Sequence, residues 1–180
     1  MNKALYILVL FVTLSACTNK KSTHSSAAQT DSLLCELHER DQQIRHELMR
    51  VQRAFIAEQR AELVDSIVML VEEEERTDSL NRVLVDSLLQ NGWPEGLSEQ
   101  SNQTIWLIID HGDVEYQERY LPLIEQQAMR GIISLADYAT LSDRVNVRRQ
   151  RPQRYGTQTG YTQRDGETFT YVYPIEDISK

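Results

Sequence analysis

Three features of the sequence predict a mainly α-helical protein: a helical bundle with a long N-terminal helical segment and a small C-terminal β-hairpin. Apolar residues recur at helical spacings over most of residues 30–150. Capping residues and glycines punctuate that pattern. After Pro152 the composition turns to Thr, Tyr, Gly and Gln, with alternating aromatics around Asp165-Gly166. At 180 residues, 41% hydrophobic and 26% charged, the chain suits one modest domain with tails.

The N-terminus comes first. Met1-Asn2-Lys3 is a short basic start, Ala4 to Leu14 is an apolar run too short to remain as a membrane span, and Ser15-Ala16 are small residues before Cys17. Residues 1–16 therefore read as a signal peptide. Leu14-Ser15-Ala16-Cys17 resembles the bacterial lipobox, which implies cleavage before Cys17, acylation of that cysteine and anchoring in the cell envelope. By the sorting pattern of enterobacterial lipoproteins, Thr18 after the cysteine implies the outer membrane, facing the periplasm. Residues 17–29 are polar and read as a flexible tether.

Residues 30–77 form the N-terminal helical segment. Thr30, Asp31 and Ser32 offer N-caps, and Leu34, Leu37, Ile44, Leu48, Val51 and Phe55 make one narrow apolar stripe. The stripe is broken by Asp41, with Arg45 one turn on, a pair that reads as a solvated helix face. Leu63, Ile67, Leu70 and Val71 continue the period to the acidic run Glu72–Glu75, which reads as a solvated face or a helix end.

The bundle proper is placed at 78–150. Asp78 or Ser79 caps a helix that Asn91-Gly92 closes, and Ser101 and Asn102 cap a short apolar helix through Ile105-Trp106-Leu107-Ile108-Ile109, the expected centre of the core. From Val114 to Arg130 a helix resumes, with Pro122 marking a kink or a first turn. Ser134 and Asp137 cap the last helix, to about Arg149. In 151–180, a loop leads to a hairpin about Asp165-Gly166 whose aromatics Phe169, Tyr171 and Tyr173 are expected to pack on the helices.

Composition excludes some functions. Without residues 1–16 the chain keeps 18 Lys and Arg against 27 Asp and Glu, a formal charge of −9, which argues against nucleic acid as a partner. Arg144, Arg148, Arg149, Arg151 and Arg154 nevertheless cluster within eleven residues that hold no carboxylate. No lysine lies between Lys21 and Lys180, so the domain has no lysine nucleophile. With Cys17 acylated, Cys35 has no partner within the chain and reads as a buried small hydrophobe or an intermolecular bridge.

Several polar positions form an ordered set: Asp41-Gln42-x-x-Arg45, Asn91-Gly92-Trp93-Pro94, Trp106 with His111-x-Asp113, Gln117, Asp143-Arg144-Val145, Gln153-x-Tyr155-Gly156-Thr157-Gln158 and Pro174-Ile175-Glu176-Asp177. The set resembles a bacterial domain-of-unknown-function family, mostly helical, that ends in this Gln-x-Tyr-Gly-Thr-Gln signature. The resemblance covers about residues 33–178 and implies no established activity. Gly112 stands where that family usually has alanine, and residues 46–77 match poorly, as an insertion would.

His111 is the one imidazole beyond His46, and with Asp143 it makes a candidate acid/base pair. Neither a Gly-x-Ser-x-Gly elbow nor a cysteine beside a histidine is present, and zinc needs more His or Cys than the domain supplies, so no metal and no cofactor is expected. Asp41, Arg45, Arg144, Gln153, Tyr155, Thr157 and Gln158 are the candidate ligand-binding residues, because Arg forks, a stacking Tyr and bifunctional Gln amides suit a polar ligand. The same side chains could instead lock the last helix to the hairpin by buried hydrogen bonds. Three readings follow: an envelope lipoprotein that binds a polar ligand or a protein partner, an envelope hydrolase using His111 and Asp143, and a coiled-coil element that self-assembles through the N-terminal helix.

Overall fold

The computed structural model describes residues 20–176, with side chains from Ala27. The expected signal peptide, Cys17 and Asp177 lie outside the described residues. Five helices precede one hairpin: α1 (Lys20–Glu58), α2 (Val64–Leu89), α3 (Glu99–Asp110), α4 (Val114–Met129), α5 (Leu135–Arg148), then β1 (Thr159–Arg164) and β2 (Glu167–Val172). The mainly α class with a C-terminal hairpin is thus as the periodicity predicts.

Two helix starts differ from the sequence reading. α1 begins at Lys20, so residues 20–29 of the expected tether are helical. Ala27, Ala28 and Gln29 are good helix formers, and nothing there breaks the run. Asp31 is consequently no N-cap; its carboxylate accepts from the backbone N–H (3.0 Å) and hydroxyl (3.1 Å) of Ser98, fastening α1 to the start of α3. Ser98 itself caps α3, accepting from the N–H of Ser101, three residues before the expected cap.

The expected single segment 30–77 is instead two antiparallel helices. Gln59, at φ 49°, and the extended Arg60 reverse the chain, and a 3₁₀ turn over Ala61–Leu63 leads into α2. No glycine or proline announced that turn. α2 then runs unbroken through Glu72–Glu75 and Asp78, so the expected boundary at 77/78 does not exist. Asp78 faces Arg45 of α1 rather than capping a helix.

Burial explains the pairing. Leu34, Leu37, Leu48 and Val51 of α1 and Val85 and Leu89 of α2 are buried, so the stripe proposed for self-assembly is covered within the chain. Ile105, Ile108 and Ile109 are buried at the centre of the core, as expected, with Ile124, Tyr138 and Leu141 from α4 and α5 against the same cluster. Burying each such side chain contributes about 1.5–3 kcal/mol. Pro122 lies in the third turn of α4, which continues through it although Pro122 has no N–H for the carbonyl of Glu118. Cys35 is half-buried and free.

The hairpin registers Thr159 opposite Val172 and Arg164 opposite Glu167, with Asp165 and Gly166 both at positive φ in the turn. Its strand aromatics do not pack on the bundle, whereas Tyr173, just past β2, is half-buried and lines a cavity with Val147 of α5. Tyr161, Phe169 and Tyr171 are exposed, and Gly160 is the buried strand residue. A Cβ on Gly160 would stand 2.5 Å from Tyr171 Cζ, so the ring lies over the glycine within the hairpin itself. The hairpin is attached by polar bonds to the preceding loop rather than by an apolar face. Among the described residues no helix is long and apolar enough to cross a membrane.

Candidate functional site

The sequence-predicted residues divide into two groups. The first centres on Asp41, which is 2% exposed rather than part of a solvated face. Helix α1 turns it inward on the stripe, where both oxygens are bonded. Gln42 Nε2 (2.8 Å) and Arg45 Nε (3.3 Å) donate to Oδ2, and His111 Nδ1 lies 3.2 Å from Oδ1. Arg45 also donates from Nη2 to Asp78 (2.6 Å) and from Nη1 to Glu74. Glu74 and Asp78 stand one turn apart, so α2 presents both carboxylates to α1 along one face. That i,i+4 spacing is the signal available in the sequence, although Glu74 falls in a run expected to be solvated and Asp78 is expected to cap a helix.

Burial pushes the Asp41 carboxyl up, but the hydrogen bond and charge of His111, with Arg45, outweigh it and hold Asp41 below the usual carboxylate range. An ionised carboxylate only accepts, so Nδ1 of His111 carries the proton toward it. Nε2 of His111 has no hydrogen-bond partner among the described residues, and the side chain is 17% exposed. One ligand atom each from Asp41, Asp78 and His111 lie within 4.8 Å of one another, a spacing a metal could use. Arg45 donates to both of those carboxylates, so their counter-charge is a guanidinium.

His111 caps the C-terminus of α3, and the corner Asp110–Gly112 that it occupies is gripped by α5. Arg144 Nη1 donates to Asp110 Oδ2 (2.5 Å), and Arg148 Nη1 donates to the carbonyl of Gly112 (2.9 Å). Gln117 Nε2 donates to the carbonyl of Asp110 (2.5 Å). Asp110 Oδ1 and Gln117 Oε1 are buried acceptors without a donor among the described residues. Burial, only partly offset by Arg144, His111 and Arg148, accordingly raises the Asp110 carboxyl above its ordinary range. Gly112 packs directly on Tyr116, whose Cδ1 would stand 2.7 Å from an added Cβ, so alanine there requires Tyr116 to move.

The second group is a lock. Asp143 on α5 is fully buried and accepts the backbone N–H groups of Arg154 (2.7 Å), Tyr155 (3.0 Å) and Thr157 (2.9 Å), and the Thr157 hydroxyl (3.0 Å). Burial raises its carboxyl, and these bonds reverse the effect and leave it below the ordinary range. Gln153, also fully buried, uses its whole inventory. Its Nε2 donates to the carbonyls of Gln158 (3.0 Å) and Tyr173 (2.8 Å), and its Oε1 accepts from Gln158 N (2.8 Å). Its backbone pairs with Pro174 and Glu176. Gly156 takes φ 77° to let the loop turn around Asp143. Gln158 Nε2 reaches the carbonyl of Thr140 (3.4 Å). Tyr155 remains 45% exposed, with Arg154 over its ring at 5.6 Å and Tyr138 edge-on at 6.0 Å.

His111 and Asp143 are therefore not hydrogen-bonded to each other; His111 has Asp41 and Asp143 has the loop. Asp41, Arg45, His111 and Arg144 are drawn to the α3–α4 corner, whereas Asp143, Gln153, Tyr155, Thr157 and Gln158 belong to the α5–hairpin junction. Sequence spacing could not separate the groups, because Asp143 and Arg144 are neighbours on α5 that reach opposite ways. A cavity of about 840 Å³ opens away from both groups, between the start of α3 and the α4–α5 turn, beside Asn102, Arg130 and Asp137, and one of about 320 Å³ borders the junction at Val147, Pro152 and Tyr173.

A helical chain that encloses one polar network under a corner and a second at a hairpin junction defines a class by architecture, not by reaction. The chain belongs to a family of unknown function, DUF6624, whose model matches residues 28–172. The match runs across residues 46–77, the outer part of the α1–α2 hairpin. No curated protein and no solved structure matches the chain.

Proposed function

We propose that this is a lipid-anchored protein of the bacterial cell envelope, held at the outer membrane through Cys17, that binds a polar ligand or an envelope protein at the α3–α4 corner. The lipobox-like Leu14–Cys17 supports the location. One observation carries the binding reading. A buried carboxylate, Asp41, holds His111 by Nδ1 and leaves Nε2 unpaired at a surface flanked by Arg144 and Arg148. Burying a charge to orient one partly exposed ring is costly unless the arrangement is used or the fold needs it. The test is native mass spectrometry of protein extracted from membranes, wild type beside His111→Ala. A bound species present in the wild type and lost from a variant of unchanged melting temperature supports the reading. Absence of any bound species, or equal retention by the variant, sinks it.

The same dyad favours acid–base catalysis as a second reading, with Asp41 orienting His111 in place of the expected acid/base pair of His111 and Asp143. It requires that His111→Ala abolish turnover of an envelope substrate while binding persists.

A further inference from the structure

Arg144 and Arg148 stand four residues apart on α5 and so project from one face of the helix. Each fastens a single nitrogen, Nη1, to the α3–α4 corner, Arg144 at Asp110 and Arg148 at Gly112. The remaining guanidinium nitrogens of both have no partner among the described residues, and Arg144 is 29% exposed while Arg148 lies at the surface. His111 stands between the two anchor points in the chain, with Nδ1 held by Asp41 and Nε2 unpaired.

The charges around this corner are unevenly matched. Arg45 is enclosed by Asp41, Glu74 and Asp78, and Arg149 and Arg151 are met by Glu115 and Glu118. Arg148 has no carboxylate partner among the described residues, and Arg144 has one, Asp110. Asp110 takes up Arg144 through Nη1 alone. What the corner presents to solvent is therefore guanidinium N–H groups of Arg144 and Arg148 that no carboxylate among the described residues takes up. Guanidinium forks match carboxylate and phosphate oxygens, and a charge-assisted bond to such an oxygen is stronger than a neutral one.

We propose that Arg144 and Arg148, beside His111, form a binding site for an oxyanion, a carboxylate or a phosphate, at the α3–α4 corner. The inference rests on the reading that this surface recognises a polar ligand, and it names the ligand's chemistry.

The experiment titrates the full chain in detergent micelles with inorganic phosphate and, separately, with acetate, following the His111 ring resonances, assigned with His111→Gln. The expected result is a saturable shift with at least one ion, and a dissociation constant weakened about tenfold by Arg148→Gln. A response to phosphate alone assigns a phosphate ligand, and a response to acetate alone assigns a carboxylate. Arg148 has one carbonyl contact at the surface, so the variant should melt with the wild type and its loss of affinity should not reflect unfolding. No saturable shift with either ion, or equal affinity in Arg148→Gln, overturns the proposal. A neutral species retained by the wild type and lost from His111→Ala, with no response to either ion, would remove the oxyanion inference while leaving the recognition reading in place.

Discussion

Thr157 donates both its backbone N–H (2.9 Å) and its hydroxyl (3.0 Å) to one oxygen of Asp143, so a single residue of the loop closes half of the junction between α5 and the hairpin. The other half is the pair of N–H groups from Arg154 and Tyr155 on the same carboxylate. Removing that carboxylate leaves several part-buried donors unsatisfied. Asp143→Ala should therefore destabilise by about 3 kcal/mol, and Thr157→Val, which removes one hydroxyl, by about 1 kcal/mol. Urea unfolding monitored by circular dichroism measures both; equal and negligible losses would show that the junction does not hold the fold.

The three buried aspartates should titrate in a fixed order. Asp110 is raised by burial, whereas Asp41 and Asp143 are lowered by their donors despite burial. On acidification Asp110 takes its proton first, above the ordinary carboxylate range. Stability from Asp41 and Asp143, whose folded values are depressed, is present above the unfolded value of about 3.9 and lost as pH falls through the folded ones. Carboxyl carbon resonances followed against pH check the order, and Asp143→Asn should flatten the acid limb of the stability curve.

Gly156 and Gly131 separate two costs. Both take left-handed φ, 77° and 72°, but a Cβ on Gly156 would meet Ile175 Cδ1 at 3.2 Å, whereas none lies within 4 Å at Gly131. Gly131→Ala should cost about 1 kcal/mol from backbone strain alone, and Gly156→Ala more. Thermal melts of the two variants make the comparison, and a smaller loss at Gly156 would mean that the end of the Ile175 side chain moves aside freely.

Arg45 should be the most sensitive residue of the α1–α2 hairpin. Its truncation leaves the buried Asp41 without one partner and removes the cation shared by Glu74 and Asp78. Arg45 is 21% exposed, so Arg45→Ala should cost about 2–4 kcal/mol, at or below the range for breaking a buried pair. With the guanidinium gone, Asp41, Asp78 and His111 offer three ligands within 4.8 Å, and zinc should restore part of the lost melting temperature in the variant. A variant that melts with the wild type contradicts the network's role.

How much of this was legible depends on how local the cause is. Ile105 to Ile109, with Ser134 before Leu135, announce two helices because their periodicity and cap are written within one or two turns. The turn at Gln59 was not legible, since no residue there requires it; the chain reverses because α2 covers the stripe of Leu48 and Val51. The exposed faces of Phe169 and Tyr171 were misread for the same reason, as alternation fixes which side chains share a face but not what that face meets.

For the site, the cast is legible in the residues alone: Asp41, Arg45, His111, Asp143, Arg144 and the Gln153–Gln158 loop are polar residues set among apolar periods, where burial without partners would be costly. The pairings come from how the helices pack. That packing joins His111 to Asp41, seventy residues away, and gives Asp143 to the loop, because a carboxylate taken out of water must find donors wherever the packing of helices brings them. Neighbouring residues on one helix, Asp143 and Arg144, thereby serve separate networks. Which network each enters is set by the helices packed against α5, and no spacing along the chain encodes that.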